Sequence, residues 1–347
     1  MRFAIDVMGG DHAPDAIVKG CIEALPLLSA DDQLILVGDR AVIHDIIAER
    51  NVRDERLVIE HAPDVIGMDE SPVEAVRTKP DSSLVRMTVL GSAKKTDRPV
   101  DVVLSAGNTG ACVSAATMFM RRLPGAHRPG IACTLPSLGG PVVLCDVGAN
   151  PEPRPSHLAQ YGLMAEIYAR RIHGKESPRV AVMNIGSEEA KGTGLIKETR
   201  DILRRIPDIN YIGYIEGREL FEGTADVVVT DGFVGNTMLK LAEGLASSIF
   251  KTLFHEVLAA DPDLAMRLEP VLKGLFKKND YHEYGGAPLL GVNGVCVICH
   301  GSSEARTIRN AIRNAREYVQ AGVNQAIVER LSKLDGVFGA VERSEAA

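Results

Sequence analysis

The strongest constraint on this chain is an alternation. Short apolar runs are followed, almost throughout, by segments with apolar residues at three- and four-residue spacing. Residues 2–8, 34–37, 56–59, 101–104, 142–147, 179–185, 226–230 and 295–299 read as buried strands. Residues 156–172 and 236–258 read as helices. Such a chain builds βαβ units, so the fold class is α/β, a mostly parallel sheet with helices on both faces. Its 347 residues suffice for two lobes or one large unit, and 1–347 is read as a single unit without a marked boundary.

Five of these runs pass into a loop of glycine and small polar residues and then into a helix. The loops are Gly9-Gly10-Asp11, Gly107-Asn108-Thr109-Gly110, 186–192 with Lys191, 231–236 from Asp231-Gly232 to Asn236, and His300-Gly301-Ser302-Ser303. In an open parallel sheet all of them emerge at one edge, where ligands bind. Glycine lets the backbone come close, and a helix N-terminus offers free N–H groups at the positive end of its dipole. The expectation is an anion site, phosphate above all, with plain turns and N-caps as the competing reading at each loop. No loop has the P-loop pattern, and no G-x-G-x-x-G follows a strand with an acidic residue downstream. Triphosphates and dinucleotides are therefore poor candidates.

Composition removes further classes. A net charge of -7, no Trp and 4% aromatic residues argue against nucleic-acid binding. The two longest uncharged stretches, 102–120 and 284–303, are interrupted by Gly, Asn, Thr or Ser, so no membrane span is expected. Asp6 ends the first apolar run too early for a signal peptide. Six scattered cysteines suit buried, reduced thiols in a cytoplasmic protein. Cys296 and Cys299, three apart on a strand, face opposite ways and make a poor metal pair.

Several stretches in order carry a resemblance: Ile5-Asp-Val-Met-Gly-Gly-Asp11, Ser105-Ala-Gly-Asn-Thr-Gly-Ala111, Asp146-Val-Gly-Ala-Asn150, Gly186-Ser-Glu-Glu-Ala-Lys-Gly192, 226–236, Tyr284-Gly-Gly-Ala-Pro-Leu-Leu-Gly291 and His300-Gly-Ser-Ser303. Over about residues 3–330 the chain resembles the bacterial phosphate acyltransferases of phospholipid synthesis. The resemblance implies that inorganic phosphate attacks the thioester of a long-chain acyl carrier protein, giving acyl phosphate and the free carrier thiol. It implies a two-lobed architecture like that of isocitrate dehydrogenases and phosphotransacetylases. It also implies a homodimer without metal, nucleotide or other cofactor, peripheral to the membrane, feeding a membrane-bound glycerol-3-phosphate acyltransferase.

That chemistry asks for orientation and oxyanion stabilisation more than for a strong base. Backbone N–H groups around Asn108, Thr109 and Gly110, with the two side chains, suit phosphate or the oxyanion. Gly9, Gly10, Asp11, Gly232, Gly301, Ser302 and Ser303 complete the candidate binding set. Lys191 is the natural fixed cation, against an ion pair with Glu188 or Glu189. Lys240 is a second cation. Asp231 is placed to orient a donor or handle the thiol proton, and Asn236 is either a substrate contact or the N-cap of its helix. His300 is the candidate acid or donor, against a buried core histidine. Cys112, just inside a helix, offers a covalent route that phosphate makes unnecessary.

Two surfaces suggest partners. Over 264–278, Leu264, Leu268, Val271, Leu272, Leu275 and Phe276 share a helical face opposed by Lys273 and Lys277, with Pro270 as a possible kink. That face suits a membrane, a carrier protein or a dimer mate. Arg306, Arg309, Arg313 and Arg316 form a basic face opposite Ile308, Ala311, Ile312 and Ala315, suited to solvent or to an acidic carrier protein.

Overall fold

Strand β1 (Arg2–Asp6) opens the chain and α1 (Asp15–Ala24) covers it. There follow β2 (Gln33–Gly38), α2 (Arg40–Glu49), β3 (Leu57–His61), α3 (Pro72–Thr78), α4 (Ser83–Leu90), β4 (Val102–Ser105) and α5 (Thr109–Ala115). A middle section holds β5 (Gly130–Leu135), β6 (Val142–Cys145), α6 (Pro155–His173), β7 (Val180–Met183), α7 (Gly194–Leu203), β8 (Tyr211–Ile215) and β9 (Val227–Val229). Then come α8 (Gly232–Ala260), α9 (Pro262–Asn279), β10 (Ala287–Leu290), β11 (Val295–Ile298), α10 (Ala305–Gln320) and α11 (Val323–Ser332). This computed structural model describes residues 1–279, 284–334 and 336–338, with the backbone alone at 272, 273 and 275–279.

Among the described residues eleven strands form one sheet in the order β3-β2-β1-β4-β11-β10-β5-β6-β9-β7-β8. The alternation of side chains sorts each strand between two cores. Phe3, Ile5, Leu34 and Leu36 pack with α1, α6, α7 and α10 on one face. Ala4, Ile35, Val37 and Val103 pack with α3, α4 and α5 on the other. Each fully buried Leu or Ile there contributes roughly 1.5–3 kcal/mol relative to an exposed one. The α/β class with helices on both faces is as the periodicity requires.

Direction is where the sheet departs from expectation. β3, β2, β1, β4 and β11 are mutually parallel, and so are β6, β9, β7 and β8. Between the two sets, β10 runs antiparallel to β11, β5 to β10, and β6 to β5. Three reversals turn the second set against the first. The carboxyl ends of the two sets therefore lie at opposite edges, and the five glycine loops do not share one. The loops after β1, β4 and β11 stand at a first edge, those after β7 and β9 at a second.

Helix boundaries bring further corrections. α8 begins at Gly232, and its N-cap is Asp231, whose Oδ1 accepts the Val234 N–H at 2.8 Å; Asn236 lies inside the helix. α9 continues through Pro270. Leu264, Met266 and Val271 are exposed on it, while the side chains of Leu272, Lys273, Leu275, Phe276, Lys277 and Lys278 lie outside the described residues. α8 packs against α9 and exposes Leu241, Leu245 and Ile249 at four-residue steps. Among the described residues no helix is long and apolar enough to cross a membrane.

Candidate active site

At the first edge three loops close on one another. Asp6 ends β1 fully buried. Burial pushes its carboxyl above the usual range, against hydrogen bonds from the Ser83 and Ser105 hydroxyls and the Met8 and Gly9 N–H groups. Ser105 Oγ donates to Asp6 at 2.8 Å and accepts the Gly107 N–H at 3.0 Å, tying the β1 loop to the β4 loop. The backbones then touch. A Cβ on Gly9 would stand 2.8 Å from Gly107 Cα, so only glycine fits. Gly10, at a φ of +119°, lies against Ala106 and Gly301, and the Asp11 N–H donates to the Gly301 carbonyl at 2.8 Å. Ten of the fifteen candidate site residues meet here.

Their individual roles differ from the sequence reading. The Asn108 amide is fully engaged: Oδ1 caps α5 through the Ala111 N–H at 3.0 Å, and Nδ2 donates to the Gly67, Met68 and Glu70 carbonyls. It is a staple that holds 67–70 over the loops, and it has nothing left for phosphate. Sequence reasoning missed the 67–70 segment, whose only signal is Gly67 in a turn. Thr109 and Gly110 are half-buried beside it. His300 is exposed, not a core histidine. Its Nδ1 accepts the Ser302 N–H at 3.2 Å and lies 2.7 Å from Ser302 Oγ, which puts the proton of a neutral ring on Nε2. Cys112 is buried 3.8 Å from Cys296 Sγ, and that contact together with burial pushes its thiol well up, so the helix N-terminus does not activate it.

A cavity of about 780 Å³ lies one strand away, between α6, α10 and the start of β10. Tyr168, Ile172, Tyr284 and Pro288 line it, with Thr134, His173, Arg313 and Glu317. Its link to the His300 loop runs through Gly286, where a Cβ would stand 2.8 Å from Sγ of Cys299, the residue before His300. Arg316, by contrast, is tied to the Leu27 carbonyl and Ser29 Oγ, which removes it from the basic face.

The second edge is built around another buried carboxylate. Asp146, just after β6, accepts N–H bonds from Ile131, Gly148, Ala149 and Asn150 at 2.7–3.1 Å, yet burial still pushes its carboxyl up. The 231–236 loop locks into it. The Gly232 N–H donates to the Asn150 carbonyl, and a Cβ on Gly235 would stand only 1.9 Å from the Asp146 carbonyl oxygen. Asn236 approaches Gly148. Lys240 is exposed two turns into α8. Lys191 does not reach inward: it folds over Gly186 and pairs with Glu188 at 2.8 Å. Lys191, Asp231, Gly232, Asn236 and Lys240 are thus apart from His300. Also at this edge, and unmarked by the sequence reading, Arg121, Arg122 and Arg128 line a cavity of about 600 Å³. Their signal was three arginines around a Pro-Gly turn.

The chain superposes on a phosphotransacetylase from Streptococcus pyogenes with a TM-score of 0.63 over 92% of this chain and 94% of that one, at 15% identity. The fold is therefore that of the phosphotransacetylases. In sequence, residues 1–326 match the family described as fatty acid synthesis protein. A phosphate acyltransferase of Heliobacterium modesticaldum is 46% identical over 95% of this chain and 98% of its own length. One of Dictyoglomus turgidum is 42% identical over 96% and 98%. The chain belongs to the phosphate acyltransferase family, and it is an acyltransferase enzyme.

Proposed function

We propose that the enzyme transfers a long-chain acyl group from the thioester of acyl carrier protein to inorganic phosphate, giving acyl phosphate for glycerophospholipid synthesis, and that it does so at the first edge. The observation that carries this reading is the meeting of three glycine loops in backbone contact, with an exposed His300 at their rim and an acyl-sized cavity one strand away. About 780 Å³ falls within the roughly 300–1,000 Å³ of ligand pockets.

In this reading a phosphate oxygen attacks the thioester carbon and the C–S bond breaks. His300 Nε2–H hydrogen-bonds to the departing thiolate, and the proton that hydrogen phosphate loses on attack ends on that sulfur. Backbone N–H groups at Thr109, Gly110 and Gly301 hold the developing oxyanion. The acyl chain lies along Tyr168, Ile172 and Pro288. Arg306, Arg309 and Arg313 on α10, beside that cavity, suit the acidic carrier. The whole of 1–347 acts as one unit, without metal, cofactor or nucleic acid. The exposed stripe of α8 supports a homodimer, and 264–278 supports reversible contact with the cytoplasmic membrane surface, where a glycerol-3-phosphate acyltransferase takes the product. Lys191, Asp231, Asn236 and Lys240 form the rival site at the second edge.

The test is phosphate-dependent release of carrier thiol from long-chain acyl carrier protein in the presence of EDTA. Saturable release with acyl phosphate as co-product is expected. Release from acyl-coenzyme A alone would leave a phosphotransacetylase, and binding without release would leave a carrier-binding scaffold. Replacing Arg309 and Arg313 by Glu is expected to raise KM for the acyl carrier selectively.

A further inference from the structure

Between α7 and the edge strand β8 lies a cavity of about 510 Å³ that the acyl-transfer reading does not use. Arg200 of α7 and Arg204 at its C-cap face Tyr211 and Tyr214 of β8 across it, above Leu203 and Ile206. The tyrosines are three residues apart, so a regular strand would send them to opposite faces. β8 is not regular. Val180 pairs with Tyr211 but Ala181 with Gly213, so Ile212 is skipped. The bulge turns both tyrosines onto the face that carries Val180 and Val182, and Gly213, at a φ of +102°, accommodates it.

Both phenol oxygens are buried there and have no hydrogen-bond partner among the described residues, and Tyr214 as a whole is only 8% exposed. An unpaired buried hydroxyl is costly and calls for a ligand. Burial pushes the Tyr211 phenol up while Tyr214 adds to the rise and Arg204 and Arg200 pull it down, which places both guanidinium groups within electrostatic reach. An oxyanion position is already marked. The Glu189 carboxylate lies 2.5 Å from Arg204 Nη2, although its side chain is 69% exposed. Arg200 Nη1 donates to the Glu189 carbonyl at 3.1 Å.

We propose that this cavity binds a small organic phosphate. Its phosphoryl group takes the place of Glu189 on Arg204 and accepts the Tyr214 hydroxyl, and its apolar body lies over Leu203 and Ile206. This holds whether or not the acyl-transfer reading does.

The test is calorimetric titration of the full chain with phenyl phosphate. One saturable site per chain is expected, weakened about tenfold or more by Tyr214→Phe and by Arg204→Ala, and unchanged in His300→Gln and Asp231→Asn. Tyr214→Phe loses no protein hydrogen bond, so its unliganded Tm should equal or exceed that of the parent, while the rise in Tm with phenyl phosphate disappears. Absence of saturable binding, binding that survives both pocket variants, or binding that moves with His300→Gln would each overturn the proposal.

Discussion

The two parallel sets of strands solve one problem in two ways. Each ends in a glycine loop folded over a buried aspartate, Asp6 in the first and Asp146 in the second. Asp6 receives two hydroxyls and two N–H groups, whereas all four donors to Asp146 are backbone N–H groups. A hydroxyl can rotate and accept instead; an N–H cannot. The first edge is therefore built around adjustable donors, and the second around a fixed frame that pins the start of α8. That difference favours the first edge for chemistry in which charge moves, and the second for architecture.

Gly235→Ala should have the largest effect. Its Cβ would meet backbone at the Asp146 carbonyl, which cannot step aside, so about 3 kcal/mol or more of stability is expected to go in denaturant unfolding. A wild-type midpoint would mean that the second frame is not rigid. Next comes His300→Gln. With the reaction assigned to the first edge as proposed, it should lower kcat about a hundredfold with KM for phosphate little changed, while Asp231→Asn costs far less. The reverse ranking would move the reaction to the second edge.

The aspartates test the comparison directly. In Asp146→Asn an amide NH2 must face an N–H donor, at a cost of about 2 kcal/mol, whereas in Asp6→Asn Ser105 can turn and accept, at about 1 kcal/mol. Equal losses in urea unfolding would erase the distinction.

The smallest effect is a pH slope. His173, with Nε2 3.0 Å from Thr134 Oγ1, is pushed down to about 4 by burial first and Lys175 second. Unfolded, it titrates near 6.5, so between those values the unfolded chain binds the proton that the folded one refuses. Stability is full above about 6.5 and falls as pH drops toward 4. His173→Gln should flatten that part of a Tm–pH curve by about 1–3 °C.

Much of this was legible in the chain. All eight strands read from apolar runs are present, and Cys296 and Cys299 do face different cores. The three strands that escaped notice have local causes. β5 is pressed between Pro129 and Pro136, β8 is broken by its bulge at Ile212, and β10 carries Pro288 within four residues. In the site, the glycines were legible because close backbone approach demands them. The engagement of Asn108 was not, since its carbonyl partners lie about forty residues away at 67–70.

The sequence by itself determined eight of the strands, which of their side chains enter a core, and which loops need glycine, because each depends on neighbours within a few residues. Only the tertiary structure decided strand direction. β10, β5 and β6 reverse the sheet three times through pairings between segments as far apart as Ile131 and Leu289, and no local pattern records them. Those reversals put His300 at one edge and Lys191 and Asp231 at the other, dividing what reads along the chain as one set of loops.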